Sequence, residues 1–315
     1  MHGPTASTPL RTRIYIDGYN LYYGCLRNTA FKWLDPIALC EQHILPSILA
    51  PDDLLRPRSW VLLPAPSLKF FTARIIESVA SDPDSVSSQA RYHSALRKLH
   101  GTRIELIEGY YAVNPMKVRL ICATQPKRLP KDCDTGLAWK VEEKQSDVNL
   151  ALHAYHDALT GTVDQVVVVT NDTDLAPALE MIRANTSVRV GLVIPTTGHH
   201  RHPNSELVKL AHWVRKRIDT RELAASQLPR VIAGGRQATL KPESWYANPQ
   251  RLKQVLGPVI DAKGSRGAAF KWMEAPNPFL GGRPPMELLE TEQGTEKILS
   301  YINDWRSRRE PAQEP

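Results

Sequence analysis

The sequence predicts an α/β fold with a doubly wound, mostly parallel sheet, followed by a small α-helical domain. Apolar strand-like runs alternate with helical patterns over the first two thirds of the 315 residues, an order typical of parallel βαβ units. After Thr220 the chain becomes irregular and then helical. Because this length exceeds that of most single domains, we expect a domain at residues 11–220, a linker at 221–245 and a second domain at 246–310.

The periodicity of apolar residues places the individual elements. The Asp35-Pro36 pair is typical of a helix start, with Asp35 as the N-cap and Pro36 as the first helical residue. The polar segment 123–140, rich in Lys, Pro and Asp, is predicted to be a loop that acts as a substrate flap. Strands are predicted at 13–16, 60–63, 103–107, 117–122, 165–169 and 188–194, and helices at 21–27, 36–44, 68–80, 85–99, 146–159, 174–184, 249–259, 267–274 and 291–305.

Acidic residues follow two of the predicted strands and begin one of the helices. Asp17 ends the first strand, Asp172 and Asp174 follow the strand at 165–169, and Asp147 starts the helix at 146–159. A parallel sheet has its binding crevice beyond the carboxyl ends of its strands, so these carboxylates are expected in one cleft. Two unit charges about 4 Å apart repel by roughly 4 kcal/mol at an effective dielectric near 20. Such a cluster requires shifted pKa values or a cation, and Mg²⁺ or Mn²⁺ prefers oxygen ligands.

Ordinary structural roles remain open for the same residues. Asp147 suits the positive end of a helix dipole, and Asp172 with Asp174 is typical of an Asx-turn and an N-cap. Asn20 either orients a water or phosphate oxygen beside Asp17 or caps a helix.

Three motifs in this order and spacing, from about Arg11 to Arg217, resemble NYN domains, the PIN-like metal-dependent nucleases. They are Asp17-Gly18-Tyr19-Asn20, Lys144-Gln145-Ser146-Asp147-Val148-Asn149 and Thr170-Asn171-Asp172-Thr173-Asp174. The resemblance implies an endoribonuclease that binds Mg²⁺ or Mn²⁺ through Asp17, Asp147, Asp172 and Asp174, with Asn20 as a further catalytic residue. One position departs from the family pattern, because many members carry an acid where this chain has His153.

Basic residues are expected to bind the phosphates of the substrate. The chain has a formal net charge of +7 in spite of its acidic cluster. We predict RNA contacts at Lys127, Arg128 and Lys131 in the flap and at Lys144 and Asn171 beside the acids, although most surface cations are simply solvated. Further candidates are Lys69, Lys117, Arg119, Lys140, Lys209, Arg215, Lys216 and Arg217, and the loop of His199, His200, Arg201 and His202, which favours a phosphate contact over a zinc site.

RNA, single-stranded or structured, is the expected substrate, chiefly because the resemblance implies ribonucleases. Tyrosines can stack on unpaired bases, but tyrosines at such positions also serve as half-buried packing residues. The candidates are Tyr19, Tyr22, Tyr23, Tyr110 and Tyr111.

Several protein classes do not fit the sequence. No run of 18 apolar residues is long enough to span a membrane, and the first residues do not resemble a signal peptide. The four cysteines have no C-x-x-C spacing, which argues against a zinc ribbon or a secreted disulfide framework. A cytoplasmic protein without a membrane partner is therefore expected.

The C-terminal part carries a second resemblance. About 55 residues resemble the toxin-binding domain of Xre/MbcA/ParS-type antitoxins, on the basis of Trp272, Asn277-Pro278, Leu280-Gly281-Gly282, Pro284-Pro285, Leu288-Leu289 and Gly294. The resemblance implies a protein partner, and a helical module for homodimerisation remains open. The first functional hypothesis is a bacterial metal-dependent ribonuclease of a toxin-antitoxin or phage-defence setting. The alternative is a catalytically weak RNA-binding or toxin-neutralising module.

Overall fold

The structure is a computed structural model that describes residues 8–48, 59–198, 201–234 and 237–308. The chain divides into two compact units. The first comprises Met1–Cys25, Glu41–Ala90 and Thr102–Asp219, and the second comprises Leu26–Cys40, Arg91–Gly101 and Thr220–Pro315. The predicted domain limits at 220 and 245 remain predictions.

An eight-stranded sheet forms the first unit and confirms the predicted α/β class. The strand order is β5-β4-β3-β1-β6-β7-β8, with β2 paired to the first half of β1. All neighbouring pairs are parallel except β4 and β5, which are antiparallel. The strands are β1 (Leu10–Asp17), β2 (Trp60–Leu62), β3 (Leu68–Ala73), β4 (Ile104–Arg119), β5 (Thr135–Lys144), β6 (Gln165–Val169), β7 (Arg189–Val193) and β8 (Trp213–Arg215).

The described helices lie in both units. They are α1 (Gly18–Leu21), α2 (Pro36–Leu39), α3 (Ser85–His100), α4 (Ser146–Leu159), α5 (Ala176–Asn185), α6 (Ser205–Leu210), α7 (Thr220–Ala225), α8 (Pro249–Lys263), α9 (Arg266–Glu274), α10 (Pro285–Leu288) and α11 (Glu292–Ser307). Asp35 caps α2 by accepting hydrogen bonds from the amides of Ile37 and Ala38, as the Asp-Pro pair predicts. Short π-helical turns continue α1 and α2 through Leu26 and Ile44.

The centre of the sheet is apolar because both of its faces are covered. Ile14 and Ile16 of β1 pair with Val167 and Val169 of β6, and all four residues are buried. Parallel strands that are buried on both faces read as continuous hydrophobic runs instead of alternating ones. The same property explains one wrong prediction. The segment Leu68–Ala73 lacks alternation and was expected to be helical, but all six residues are buried and form the central strand β3.

The predicted flap is the second region where the structure differs from expectation. Residues 135–140, placed in the loop at 123–140 by their polar composition, belong to β5 (Thr135–Lys144), an edge strand of the sheet. Its partner β4 joins the strands predicted at 103–107 and 117–122 into one. Tertiary pairing with β4 therefore outweighs the low strand propensity of Lys and Glu in this segment.

A buried ionic cluster fixes α4 against the sheet. The Asp157 carboxylate of α4 accepts hydrogen bonds from Arg13 at 2.7 Å, Tyr15 at 2.6 Å and Lys69 at 2.8 Å. Loss of solvation raises the pKa of Asp157, but these hydrogen bonds outweigh it and hold the pKa below the usual range. The Nδ1 atom of His153 lies 3.1 Å from Lys69 Nζ. Lys69 is thus committed to this cluster, which corrects its prediction as a phosphate contact.

The second unit has a separate helical core. The buried residues of α8, α9 and α11 pack together, in agreement with the helical stretches predicted there, and Leu280 and Leu289 complete the core. A hairpin of β9 (Val231–Ile232) and β10 (Thr239–Leu240) lies within the predicted linker. Gly281 and Gly282 both have positive φ, at 78° and 73°, so this turn requires glycine. Within the described ranges, no helix is both long and apolar enough to cross a bilayer.

Replacing Asp157 with Asn tests the ionic cluster. Removing the negative charge leaves Arg13 and Lys69 buried without a counterion, and we expect a loss of about 3–5 kcal/mol in the free energy of unfolding. The measurement is chemical denaturation of the full-length protein. The matched control is Asp164→Asn, which breaks the partly exposed ion pair with Arg11 and is expected to cost about 1 kcal/mol or less. Equal losses in both variants would contradict the role given to the cluster.

Candidate active site

The four predicted acidic residues meet at one place in the first unit. Strands β3 and β4 lie on one side of β1, and β6, β7 and β8 lie on its other side. The order of the strands therefore reverses direction between β1 and β6. Such a switch point opens a crevice at the carboxyl ends of the strands. The pocket found there is lined by Asp17, Asp147, Leu150, Thr170, Asp172, Asp174 and Leu175.

Asp17 is held rigidly at the end of β1. Its Oδ1 accepts the backbone amide of Asn20 at 2.9 Å, and its Oδ2 accepts the Asn20 side-chain amide at 2.6 Å and the Thr170 hydroxyl at 2.9 Å. Asp17, not Asn20, is therefore the N-cap of α1. The next residue, Gly18, has no room for a side chain, because a Cβ there would lie 2.6 Å from the Phe71 carbonyl oxygen. The close packing of this turn on β3 fixes the direction in which Asp17 points.

Asp172 and Asp174 follow β6 and serve a structural role as well. Asp172 Oδ1 accepts the Asp174 amide at 3.0 Å and caps the 3₁₀ turn Thr173–Leu175. The Asp172 amide in turn donates to the Thr170 hydroxyl at 3.1 Å. The N-cap left open by the sequence is thus present for Asp172, and both acids still line the pocket.

Asp147 lies in the first turn of α4, where Gln145 is the N-cap residue. Loss of solvation, followed by repulsion from the other three pocket acids and from Glu143, raises the pKa of Asp147 to about 6. Loss of solvation also raises the pKa of Asp17, against the hydrogen bonds from Asn20 and Thr170 that lower it. The pocket therefore accumulates negative charge that the protein itself does not neutralise.

Glu143 is a nearby acid that the sequence analysis did not include. It lies at the end of β5, opposite Tyr111 of β4, and its Oε1 accepts the amide of Ser146 at 3.3 Å, next to Asp147. Glu143 does not follow an apolar strand, because the sequence of β5 is polar, so it lacks the feature that marks Asp17 and Asp172. The sequence feature that indicates Glu143 is its position four residues before Asp147.

The donor set of the pocket fits a hard divalent cation. All four titratable side chains offer carboxylate oxygen, the ligand type that Mg²⁺ and Mn²⁺ prefer, and the raised pKa values of Asp17 and Asp147 show charge that a cation would offset. Over the described parts of the chain, no three carboxylate, imidazole or thiolate groups are already arranged as a complete ligand set.

A guanidinium reaches the rim of the pocket through Asn20. Arg201 Nη2 donates to Asn20 Oδ1 at 2.6 Å, so one amide links Arg201 to Asp17. The loop is held by Asn171, whose Nδ2 donates to the His202 carbonyl at 3.0 Å and whose Oδ1 accepts the Asn204 amide at 2.9 Å. Asn171, predicted to contact RNA, therefore positions the Arg201 loop. His199 and His200 of the same prediction lie outside the described residues.

The other predicted RNA contacts are not gathered at the pocket. Lys144 forms an ion pair with Glu142 at 3.0 Å, and Lys140 binds the same carboxylate at 2.6 Å. Lys127, Arg128 and Lys131 are exposed on the connection between β4 and β5. Their role in RNA binding remains a prediction.

Tyrosines of α1, of the π-helical turn that follows it and of β4 pack together. The Tyr19 ring stacks near Tyr23 with centroids 6.5 Å apart and meets Tyr111 edge to face at 6.1 Å. The Tyr19 hydroxyl donates to the Ala73 carbonyl at 3.0 Å, whereas 58% of Tyr23 is exposed. Tyr19 thus packs internally, and Tyr23 is available at the surface.

Asp147→Asn tests the charge of the pocket through pH. Because the folded-state pKa of about 6 exceeds the ordinary value of 3.8, the folded protein binds the proton more tightly than the unfolded chain does. Stability from this carboxyl is fully present below its ordinary pKa and is lost as the pH rises through about 6. In EDTA, the variant should raise the melting temperature at pH 8 and change it little at pH 4. The control is Asp132→Asn, at an exposed acid that does not line the pocket. An equal gain in melting temperature at both pH values would contradict the raised pKa of Asp147.

Comparison with known proteins identifies both parts of the chain. The NYN domain family matches residues 75–214, which include Asp147, Asp172 and Asp174, while Asp17 reaches the same pocket through β1. The antitoxin Xre/MbcA/ParS C-terminal toxin-binding domain matches residues 260–308. Both resemblances seen in the sequence are thereby confirmed.

A curated relative covers almost the whole chain. It is 6-hydroxy-3-succinoylpyridine 3-monooxygenase HspA of Pseudomonas putida, 62% identical over 304 residues, which are 96% of this chain and 97% of the relative. A crystal structure of a Vibrio parahaemolyticus protein of unknown function aligns with a TM-score of 0.35 and 18% identity, covering 70% of this chain and 97% of that one, and supports no argument. The identity and coverage of the Pseudomonas putida protein show that this chain belongs to the same family, within which it combines an NYN domain with an Xre/MbcA/ParS-type toxin-binding domain.

Proposed function

We propose that the chain is a metal-dependent endoribonuclease whose pocket of four aspartates hydrolyses RNA phosphodiester bonds. The observation that carries the proposal is the convergence of Asp17, Asp147, Asp172 and Asp174 on one pocket at the switch point of the sheet. A protein that only binds RNA gains nothing from clustered negative charge, since carboxylates repel phosphates. The NYN match supports a nuclease-type enzyme.

The four aspartates would hold Mg²⁺ or Mn²⁺, which lowers the pKa of a bound water and offsets charge on the phosphate. Asn20 and Thr170 keep the Asp17 carboxylate in one orientation, so no reorganisation is needed when substrate arrives. Arg201 uses one amino group on Asn20, and a guanidinium has five N–H donors in all. Its remaining donors suit a phosphate oxygen at the rim of the pocket.

Tyr23 supports RNA with unpaired bases as the substrate. Its ring is 58% exposed and stacks near Tyr19, two residues after Asp17, and bases stack on such rings in single-stranded RNA. The C-terminal unit supports a protein partner, because the Phe279 ring is 75% exposed while it stacks on Tyr301. We therefore assign protein recognition to the second unit and RNA hydrolysis to the first unit.

A second candidate function is oxygenation of 6-hydroxy-3-succinoylpyridine. The observation that favours it is the 62% identity, over nearly the full length, to a relative bearing that name. Monooxygenation inserts one oxygen atom of O₂ and releases the other as water, so it needs two electrons from a reductant such as a reduced nicotinamide. Oxygen uptake with the pyridine and NADH, measured on the same preparation as RNA cleavage, separates the two candidates.

The direct test of the nuclease is cleavage of short labelled RNA and DNA with Mg²⁺, with Mn²⁺ and with EDTA. We expect metal-dependent cleavage of RNA, and we expect Asp17→Asn and Asp172→Asn to abolish it with the fold retained. Asp164→Asn, at the opposite end of β6 from Asp172 and outside the pocket, is the matched control. Undiminished cleavage by Asp17→Asn would contradict the assignment of Asp17 to the catalytic metal site. Absent cleavage together with pyridine-dependent oxygen uptake would favour the second candidate.

Two sets of cations should separate binding from turnover. Replacing Lys127, Arg128 and Lys131 with Ala should flatten the dependence of log K on log salt by about 2, since each phosphate contact to single-stranded RNA contributes roughly 0.7. An unchanged slope in the triple variant would move the RNA path to the cations between Lys209 and Arg217.

Replacing Arg201 with Ala should instead reduce cleavage at saturating RNA by about 10-fold or more, because a hydrogen bond to a charged group is worth about 1.5–3 kcal/mol.

A further inference from the structure

Strand β5 carries a row of exposed apolar side chains at the edge of the sheet. Among the described residues it lies at one end of the sheet and pairs with β4 alone, while β8 lies at the other end. Leu137 is 78% exposed, Trp139 is 72% exposed and Val141 is 48% exposed. Because side chains alternate along a strand, these three residues lie on one face. A long edge with such a row is a template for pairing with another strand.

The opposite face of β5 is charged and internally paired. Lys140, Glu142 and Lys144 alternate with the apolar row, and Glu142 binds both lysines. On the apolar face, Val113 and Pro115 of β4 lie directly opposite Val141 and Trp139. Strand β5 therefore carries an apolar row on one face and paired charges on the other, although Lys117 of β4 lies opposite Leu137. A pairing register that preserves this division of β5 is strongly specified.

We propose that β5 pairs antiparallel with β5 of a second copy of this chain, with Trp139 opposite its own counterpart. In this register Leu137 lies opposite Val141 of the other copy, so every odd-numbered apolar residue meets an apolar one. On the other face Lys140 lies opposite Ala138 and Glu142 lies opposite Gly136. No like charges are directly opposed, and a two-fold axis makes both halves of the contact identical.

The neighbouring registers that keep the two faces aligned fail on charge. Shifting the axis to Lys140 sets Lys140 against Lys140 and Leu137 against Glu143. Shifting it to Ala138 sets Glu142 against Asp134. Like charges directly opposite each other destabilise a sheet. The sequence of β5 is thus self-complementary about Trp139, which selects a second copy over an unrelated strand.

Light scattering of the full-length protein over a range of concentrations tests the dimer. We expect the wild type to dimerise and Trp139→Glu to be monomeric, with its melting temperature retained because Trp139 is mostly exposed. The matched control is Phe279→Glu, an equally exposed aromatic in the C-terminal unit, which should remain dimeric. A monomeric wild type, a dimeric Trp139→Glu or a monomeric Phe279→Glu would each overturn the proposal. So would loss of RNA binding by Trp139→Glu without a change in mass, which would assign the row to RNA.

Cysteine cross-linking tests the register. Ala138→Cys and Lys140→Cys proteins, each carrying Cys122→Ser, are oxidised alone and after mixing. Directly opposed residues in an antiparallel pair have Cα atoms about 4.5–5.5 Å apart, within the range for a disulfide. We expect a covalent dimer in the mixture and little in either protein alone. Cross-linking of Lys140→Cys alone, or none in the mixture, would overturn the register.

Discussion

Four carboxylates face one pocket, and the surrounding structure holds them there against their mutual repulsion. Asp17 is fixed by Asn20 and Thr170, while Asp172 is fixed by its role as an N-cap. On α4, which carries Asp147, the buried Asp157 binds cations of β1 and β3. One acid of this helix is thus neutralised inside the protein and another is left charged in the pocket. This uncompensated charge is the reason for proposing a divalent cation in the pocket.

The sequence predicted the parts of the site that depend on local order. Asp17 and Asp172 lie at the ends of strands whose apolar character is visible in the sequence. Because these strands pair in parallel, their carboxyl ends bring the two acids to the same edge of the sheet. Arg201 was predicted as part of a phosphate-contacting loop, but its link to Asp17 through Asn20 was not, because that contact spans 181 residues. Glu143 was not identified, because it lies on an edge strand whose sequence is polar. The helix expected at Leu68–Ala73 failed for a related reason, since burial on both faces erases the alternation that marks a strand. Lys69 appeared to be a surface cation because its partner Asp157 is 88 residues away.

The family relationship and the pocket point to different chemistry. The relative with 62% identity is named a monooxygenase, whereas the NYN match and the all-oxygen donor set fit phosphodiester hydrolysis. Both assignments can be tested on the same residues, because the four aspartates that line the pocket are the candidate site for either chemistry. Activity assays on both substrates with the same Asp17 variant therefore carry more weight than either resemblance.

The most direct measurement of the central claim is anomalous diffraction from crystals of the wild type and of Asp17→Asn soaked in Mn²⁺. We expect a peak at coordination distance from the carboxylates of Asp17 and Asp172 in the wild type. In the variant, whose fold should be unchanged, we expect the peak to be weakened or absent. A wild-type pocket without a peak at saturating Mn²⁺, or an equal peak in both crystals, would contradict the assignment of these aspartates as a metal centre.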